Sequence, residues 1–394
     1  MAVRPPTRGE RRLSLAAILT TAFGIGLSIS MATPLVSLTM ERAGYGEVVI
    51  GLAAAVYSLA MLATGPFVPG LMRRFGPVPV LVGGLGLAAA TVALFPVLPV
   101  LAVWLLLRAG TGIGNNIGWV VSETWINAVA SDAARGRVVA LYATVWASGI
   151  AAGPVLLSVI GTTGAMPFVV AGALVGAALV PAVAARRLAP SMGGDGAGVA
   201  LLGAARAAPL AYAAGFLSGV GESTFFSLFP VYAVATGYDA GTAVLVATAF
   251  GVGAIALQPP TGWLADRVDR RRLLIATVLL ALACVAVVPT VLGTPALWPV
   301  IFVWGGAVAG FYTLGLILVG QTFRGPDLAP ANAAFIMTYV LGMTVGPLVG
   351  GGGMQVWSPH GLLAVTAGAY ILFLAAAARL PAPAAADAAE RRPG

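Results

Sequence analysis

Residues 262–272 read GWLADRVDRRR, six charges in eleven positions of a chain that is only 9% charged. A weaker copy, PGLMRRFGPVP, begins at Pro69, 193 positions before Gly262 (262 − 69). Both stretches interrupt long apolar runs. What surrounds them decides the fold.

The chain has 394 residues, 59% of them hydrophobic, with a mean hydropathy of +0.98. Soluble domains are nearer half apolar and a quarter charged. A soluble core of this composition would lack a polar skin, so its solvent is lipid. A bilayer-spanning helix needs about 20 largely apolar residues. Membrane barrels read instead as short alternating segments, whereas Val78–Phe95 and Leu273–Val291 are unbroken apolar runs. Twelve runs follow, over about 13–37, 48–70, 78–96, 100–126, 138–160, 166–185, 208–235, 242–264, 272–292, 297–322, 330–352 and 360–378. The expected fold is an all-α polytopic membrane protein with twelve transmembrane helices. The 52 Gly and 27 Pro suit it, because neighbouring membrane helices repair the backbone bonds such residues disturb.

The net charge of +8 invites a nucleic-acid reading, but its placement argues for topology. Every basic residue is Arg. With the N-terminus inside, 19 of the 21 fall in cytosolic segments, Arg42 lies outside and Arg108 lies within a helix. That asymmetry follows the positive-inside rule. It predicts an even number of spans, both termini in the cytosol, a bacterial cytoplasmic membrane and no nucleic-acid partner. The basic start resembles a signal peptide, yet its apolar run is too long for one and reads as a retained first helix. The lone Cys284 excludes an intramolecular disulfide and reads as a small buried hydrophobe.

The offset of 193 recurs along the chain. Phe23 and Gly26 meet Phe216 and Gly219, and Gly44-Tyr45 meets Gly237-Tyr238. Pro66 meets Pro259, and Gly149, Gly153 and Pro154 meet Gly342, Gly346 and Pro347. Two six-helix halves are therefore expected at 1–185 and 208–394, joined by a cytosolic linker at 186–207. Six being even, the halves share an orientation and are related by an axis along the membrane normal. The paired glycines, one turn apart, let neighbouring helices approach closely, and the prolines after them can bend the helix.

These features carry a resemblance. GWLADRVDRRR resembles the G-x-L-A-D-R-x-G-R-R loop of the major facilitator superfamily, with Asp269 in the place of the usual Gly. In the first-half copy Arg73 stands where Asp is expected. GIAAGP (149–154) and GMTVGPLVGG (342–351) resemble the superfamily's G-x-x-x-G-P-x-x-G-G motif, associated in helix 5 with antiporters. Residues 122–142 and 310–335 are similar to its YcaD-like branch. The resemblance implies a solute transporter working by alternating access, functional as a monomer in the bilayer. It further implies a cytosolic gate at Gly262, Asp266, Arg267, Arg270 and Arg271, with Arg73 and Arg74 in the other half. A purely topogenic basic loop is the alternative.

Transport needs polar groups within the membrane, and these are few. A charge at the bilayer centre costs about 2.5–3.5 kcal/mol on insertion scales, so Glu222, Arg108 and Glu123 each call for a role. Glu222 sits in GVGESTFFSLFP beside Ser218 and Phe226. It is a candidate for proton or substrate coupling, or else a carboxylate hydrogen-bonded across the bundle. At about 100° per residue, Arg108, Asn115 and Ser122 fall within roughly 40° of one another, with Trp119 between them. The R-x-x-x-G start of that helix resembles a motif of proton-driven superfamily members, which implies a coupling role for Arg108. Glu123 lies nearer the cytosol, within expected reach of Arg73 or Arg74. Trp304, Tyr312 and Gln321 are cavity candidates, and His360 reads as an interfacial residue. No Walker loop appears, and no cofactor or metal is expected, the proton being the coupling ion. The leading reading is a proton-coupled exporter of a small organic solute. A sodium-coupled or facilitative importer is the runner-up, and a membrane receptor or polytopic enzyme the alternative of another class.

Overall fold

Hydrocarbon offers no partner for a peptide N–H or C=O, so an apolar run must close its backbone bonds within itself. The computed structural model describes residues 8–129, 135–189, 201–324 and 327–379, and among them the regular elements are all helical. The long helices are α1 (Arg8–Arg42), α2 (Glu47–Thr64), α3 (Pro77–Leu94), α4 (Leu101–Val129), α5 (Arg135–Ile160) and α6 (Met166–Ala184). A short helix, Leu201–Ala207, precedes α7 (Pro209–Ala235), α8 (Ala240–Ala256), α9 (Arg270–Val291), α10 (Leu297–Thr322), α11 (Leu328–Val356) and α12 (Gly361–Arg379). Ten helices among the described residues are long and apolar enough to cross a membrane. The other two long ones, α4 and α7, have 29 and 27 residues and carry Arg108 and Glu222. The expected cytosolic tails and the centre of the linker (1–7, 190–200 and 380–394) lie outside the described residues.

Two apolar runs differ from their expected form, for one reason. The run at 48–70 breaks after Thr64 into a 3-10 turn, Gly65–Phe67, and resumes as Val68–Phe75. The run at 242–264 breaks at Leu257 and resumes as Gln258–Ala265. Pro66 and Pro69 in one, and Pro259 and Pro260 in the other, lack the N–H an α-helix needs and crowd the preceding turn. Pro66 and Pro259 stand 193 positions apart.

The repeat seen in the glycines reappears as contacts. A Cβ on Gly149 would fall on the carbonyl of Phe23, and a Cβ on Gly342 on that of Phe216. Gly26 is closed off in the same way by the Trp146 carbonyl, and Gly219 by that of Tyr339. Every residue of the second set lies 193 beyond its counterpart. The α1–α5 packing is thus reproduced by α7–α11, backbone against backbone. Gly112 against the Tyr57 carbonyl and Gly305 against that of Phe250 repeat the pattern for α4–α2 and α10–α8. Small residues at such crossings are how membrane helices meet, since lipid supplies no hydrophobic drive between them.

The Arg that the charge count expects outside has a structural task. Arg42, at the end of α1, donates to both the carbonyl and the hydroxyl of Thr162 between α5 and α6.

Gly342→Ala forces a methyl onto the Phe216 carbonyl, and overpacking of this kind costs about 1–3 kcal/mol. Gly352, with nothing within 4 Å of its Cβ position, is the control on the same helix. Thermal unfolding in detergent is expected to show a lower midpoint for Gly342→Ala and no loss for Gly352→Ala.

Candidate functional site

Where α1 and α7 run side by side, a cavity opens, lined by Ile29, Ser30 and Thr33 of α1 and Glu222, Ser223, Phe226 and Ser227 of α7. Ala54 and Tyr57 of α2, Arg108 of α4, Ile150 of α5 and Met343 of α11 complete it. Four pairs of lining residues stand 193 apart: Ile29 with Glu222, Ser30 with Ser223, Thr33 with Phe226 and Ile150 with Met343. The cavity therefore lies on the repeat's own axis. It offers about 50 Å³ to the centre of a water-sized sphere, room for a few waters and well below a drug-sized ligand pocket. The helices are drawn in around it.

The repeat is broken where the charges stand. Position 108 is Arg, and its counterpart 301 is Ile; position 222 is Glu, and its counterpart 29 is Ile. Arg108 is 3% exposed. Its Nε donates to the Ala53 carbonyl at 3.3 Å, and its guanidinium carbon lies 4.6 Å from the centre of the Tyr57 ring. A desolvated cation over an aromatic face is worth about 2 kcal/mol, which offsets part of the burial. The Tyr57 hydroxyl accepts from Asn115 Nδ2 at 3.2 Å. Across the cavity, Glu222 Oε2 accepts from the Tyr339 hydroxyl of α11 at 2.8 Å. Among the described residues no ion pair joins Arg108 to Glu222. Tyr57 and Tyr339 also pack in one apolar cluster with Met61 and Val340, Trp119 and Tyr312 resting against it.

The structure sorts the residues expected from sequence. Arg108, Glu222 and Phe226 share the cavity. Asn115, 1% exposed, stands behind it and orients Tyr57. Trp119 stacks near Trp146 with ring centres 5.8 Å apart, and Tyr312 near Tyr339 at 5.3 Å; these two pairs again differ by 193. Ser122 is spent on the Gly118 carbonyl at 2.6 Å. Ser218 and Trp304, expected at the cavity, are in the packed core instead. Ser218 donates to the Val308 carbonyl at 2.9 Å. Trp304 donates to the Tyr370 hydroxyl at 2.9 Å among Phe225, Phe229 and Phe250. A serine or tryptophan in a membrane helix looks the same in sequence whether its polar atom faces a cavity or a neighbouring helix. Gln321 is exposed at the end of α10. The His360 Nδ1 lies 3.3 Å from the Tyr232 hydroxyl.

In the loop expected to form the gate, the arginines meet backbone carbonyls and a ring. Arg267 does not pair with Asp266. Its guanidinium lies over the Trp263 ring at 3.9 Å and donates to the Trp263 carbonyl at 3.1 Å, while Asp266 is exposed. Asp269 caps α9 by accepting from the Arg272 N–H at 2.8 Å. Arg270 donates to the Ala265 carbonyl at 3.2 Å and Arg271 to that of Ala377 at 2.6 Å, the latter tying α9 to α12. In the first-half copy Arg74 rests over the Phe75 ring, 5.1 Å from its centre. Among the described residues neither Arg73 nor Arg74 forms an ion pair with half-buried Glu123.

Tyr57 and Tyr339 were not singled out from sequence, though a signal exists. At the offset of 193 Tyr57 meets Phe250 and Tyr339 meets Trp146, so each is an aromatic with an aromatic counterpart. Only one member of the first pair carries a hydroxyl, and that member touches a charge.

Membrane-length helices thus pack around a small cavity that holds buried charges of both signs. A profile of the Major Facilitator Superfamily matches residues 18–238 and 211–393, and the chain belongs to that superfamily. It is 27% identical over 343 residues to an uncharacterized MFS-type transporter, YfkF, of Bacillus subtilis, covering 86% of this chain and 88% of that one. Another uncharacterized MFS-type transporter, from Yersinia enterocolitica, is 28% identical over 284 residues, 71% of this chain and 72% of its own. Crystal structures share the fold at low identity. The nucleoside transporter NupG, in a mutant form, gives a TM-score of 0.81 at 13% identity, covering 93% of this chain and 99% of its own. A bacterial homolog of the lysosomal transporter Spinster, inward-facing and unoccupied, gives 0.71 at 14%, over 95% and 96%. The protein is an integral membrane transporter with bacterial relatives.

Core and cavity residues separate in one comparison. Trp304→Phe leaves the Tyr370 hydroxyl buried without its donor, at a cost of about 1–3 kcal/mol. It is expected to lower the unfolding midpoint while leaving the KM for solute unchanged. Phe226→Ala is expected to change the KM with a smaller effect on unfolding.

Proposed function

We propose that the chain is a secondary active transporter that exports a small organic solute from the cytosol of a bacterium in exchange for protons. The observation that carries this reading is the cavity on the repeat axis, holding one carboxylate and one guanidinium contributed by different parts of the repeat. Twelve helices, α1–α12, span the cytoplasmic membrane as two six-helix halves, 1–185 and 208–394. Both termini and the linker at 186–207 face the cytosol, as the Arg asymmetry requires. The protein works as a monomer and needs no cofactor beyond the coupling ion. Contacts between the halves begin at Glu47 with Gly351 and Gly51 with Pro347 and run along α2 and α11 to the Tyr57–Tyr339 cluster. In this topology the Glu47–Gly351 end is the outer one, and in this conformation it is closed. An unpaired Asp266 fits an inner gate that is not latched.

Glu222 is the proton carrier in this reading. It is the acid that faces the cavity, and its protonation changes what Tyr339 can donate to. Tyr339 lies in the cluster that joins α2 to α11, so a proton on Glu222 bears on the surface along which the halves rock. Arg108, fixed over Tyr57, holds the opposite charge on the other wall. Glu123 is the second acid on the inner route.

Reporter fusions at Arg206 and Gly394 are expected to score cytosolic, and an extracellular score at either would remove the even-span topology. Glu222→Gln keeps the side chain's shape but cannot release a proton. In proteoliposomes this variant is expected to lose pH-driven accumulation and to retain downhill exchange. Accumulation that persists in Glu222→Gln under a pH gradient would sink Glu222 as the carrier.

A further inference from the structure

Arg108 and Glu222 line one cavity, yet neither neutralises the other. Each is held along one edge by its own surroundings, Arg108 through Nε and its stack on Tyr57, Glu222 through Oε2 and Tyr339. Among the described residues the remaining guanidinium N–H groups and Glu222 Oε1 have no protein partner. They are also absent from the buried polar atoms sealed away without one, which include Asn115 Oδ1 and Thr224 Oγ1. Their free edges therefore open to the cavity. Two buried opposite charges left apart are costly, and the cavity between them is what keeps them apart.

We propose that the transported solute is a small zwitterion, its carboxylate seated on Arg108 and its protonated amine on Glu222. This rests on the transport reading above and adds the substrate class to it. A guanidinium fork matches the two oxygens of a carboxylate. Beside Glu222, the hydroxyls of Ser223 and Ser227 line the same wall and can accept from an ammonium. Ile150, Phe226 and Met343 give an apolar surface for the rest of the solute. A monocation leaves Arg108 unmatched, a monoanion leaves Glu222 unmatched, and a neutral solute leaves both. A site built for a polar group rejects analogues lacking it strongly, because its own buried group is then unpaired. The reading also fixes the charge balance. Proton and amine compete for Glu222, so one neutral zwitterion exchanges for one proton and each cycle moves one net charge. Exchange of a monocation for a proton would move none.

The test uses the full-length protein in proteoliposomes and one scaffold in four charge forms: leucine, leucine methyl ester, N-acetyl-leucine and N-acetyl-leucine amide. Alanine and phenylalanine sets cover smaller and larger sizes. The zwitterion of at least one set is expected to accumulate about tenfold or more over its three relatives, and to respond to an imposed membrane potential at equal pH. In downhill exchange, Glu222→Gln is expected to move the preference toward the N-acetyl acid, and Arg108→Gln toward the ester. Preference for any other form, an unchanged order in both variants, or no movement of any zwitterion overturns the assignment. Accumulation of any form that ignores the pH gradient sinks the proton coupling instead, and the ranking of forms still judges the zwitterion.

Discussion

Helices dissolved in hydrocarbon gain nothing from hiding apolar side chains, so they meet only where their surfaces let backbones touch. In this protein that contact is glycine against carbonyl, made by Gly149 on Phe23 and made again by Gly342 on Phe216. Such crossings leave no slack for a side chain. They fix α1 against α5 and α7 against α11, and these four helices, with α2 and α4, carry the cavity lining. The position of the site follows from where small residues occur.

A repeat that packs twice in the same way leaves an axis between its copies, and whatever lines that axis comes in pairs. Ser30 faces Ser223 there, and Ile150 faces Met343. The buried charges stand where the pairing fails. Ile29 against Glu222 and Arg108 against Ile301 place one charge of each sign around a nearly symmetric cavity. Tyr57 and Tyr339 then link those charges to the α2–α11 contact. The charges in the cavity and the α2–α11 packing thus share two side chains.

The charged loop has a quieter role in this conformation than its density of ions suggests. Asp269 caps α9, Arg271 ties it to α12 and Arg267 lies on Trp263. An exposed Asp–Arg pair would contribute only about 0–1 kcal/mol, so its absence costs the fold little.

Hydropathy and length alone determined the helices, because in lipid an apolar run has no other way to satisfy its backbone. The offset of 193 was legible as well, since tight crossings restrict residue choice to glycine and proline at fixed places. The sequence also pointed to Glu222 and Arg108, whose burial cost makes a charge conspicuous in an apolar run. It did not distinguish Ser218 and Trp304 from cavity residues, nor find Tyr57 and Tyr339. Those differences depend on which neighbour each hydroxyl or indole N–H meets, and the neighbours lie 58 to 117 positions away. Periodicity assigns a residue to a face of its own helix. Only the packing of twelve long helices decided whether that face met a carbonyl, a ring or the cavity.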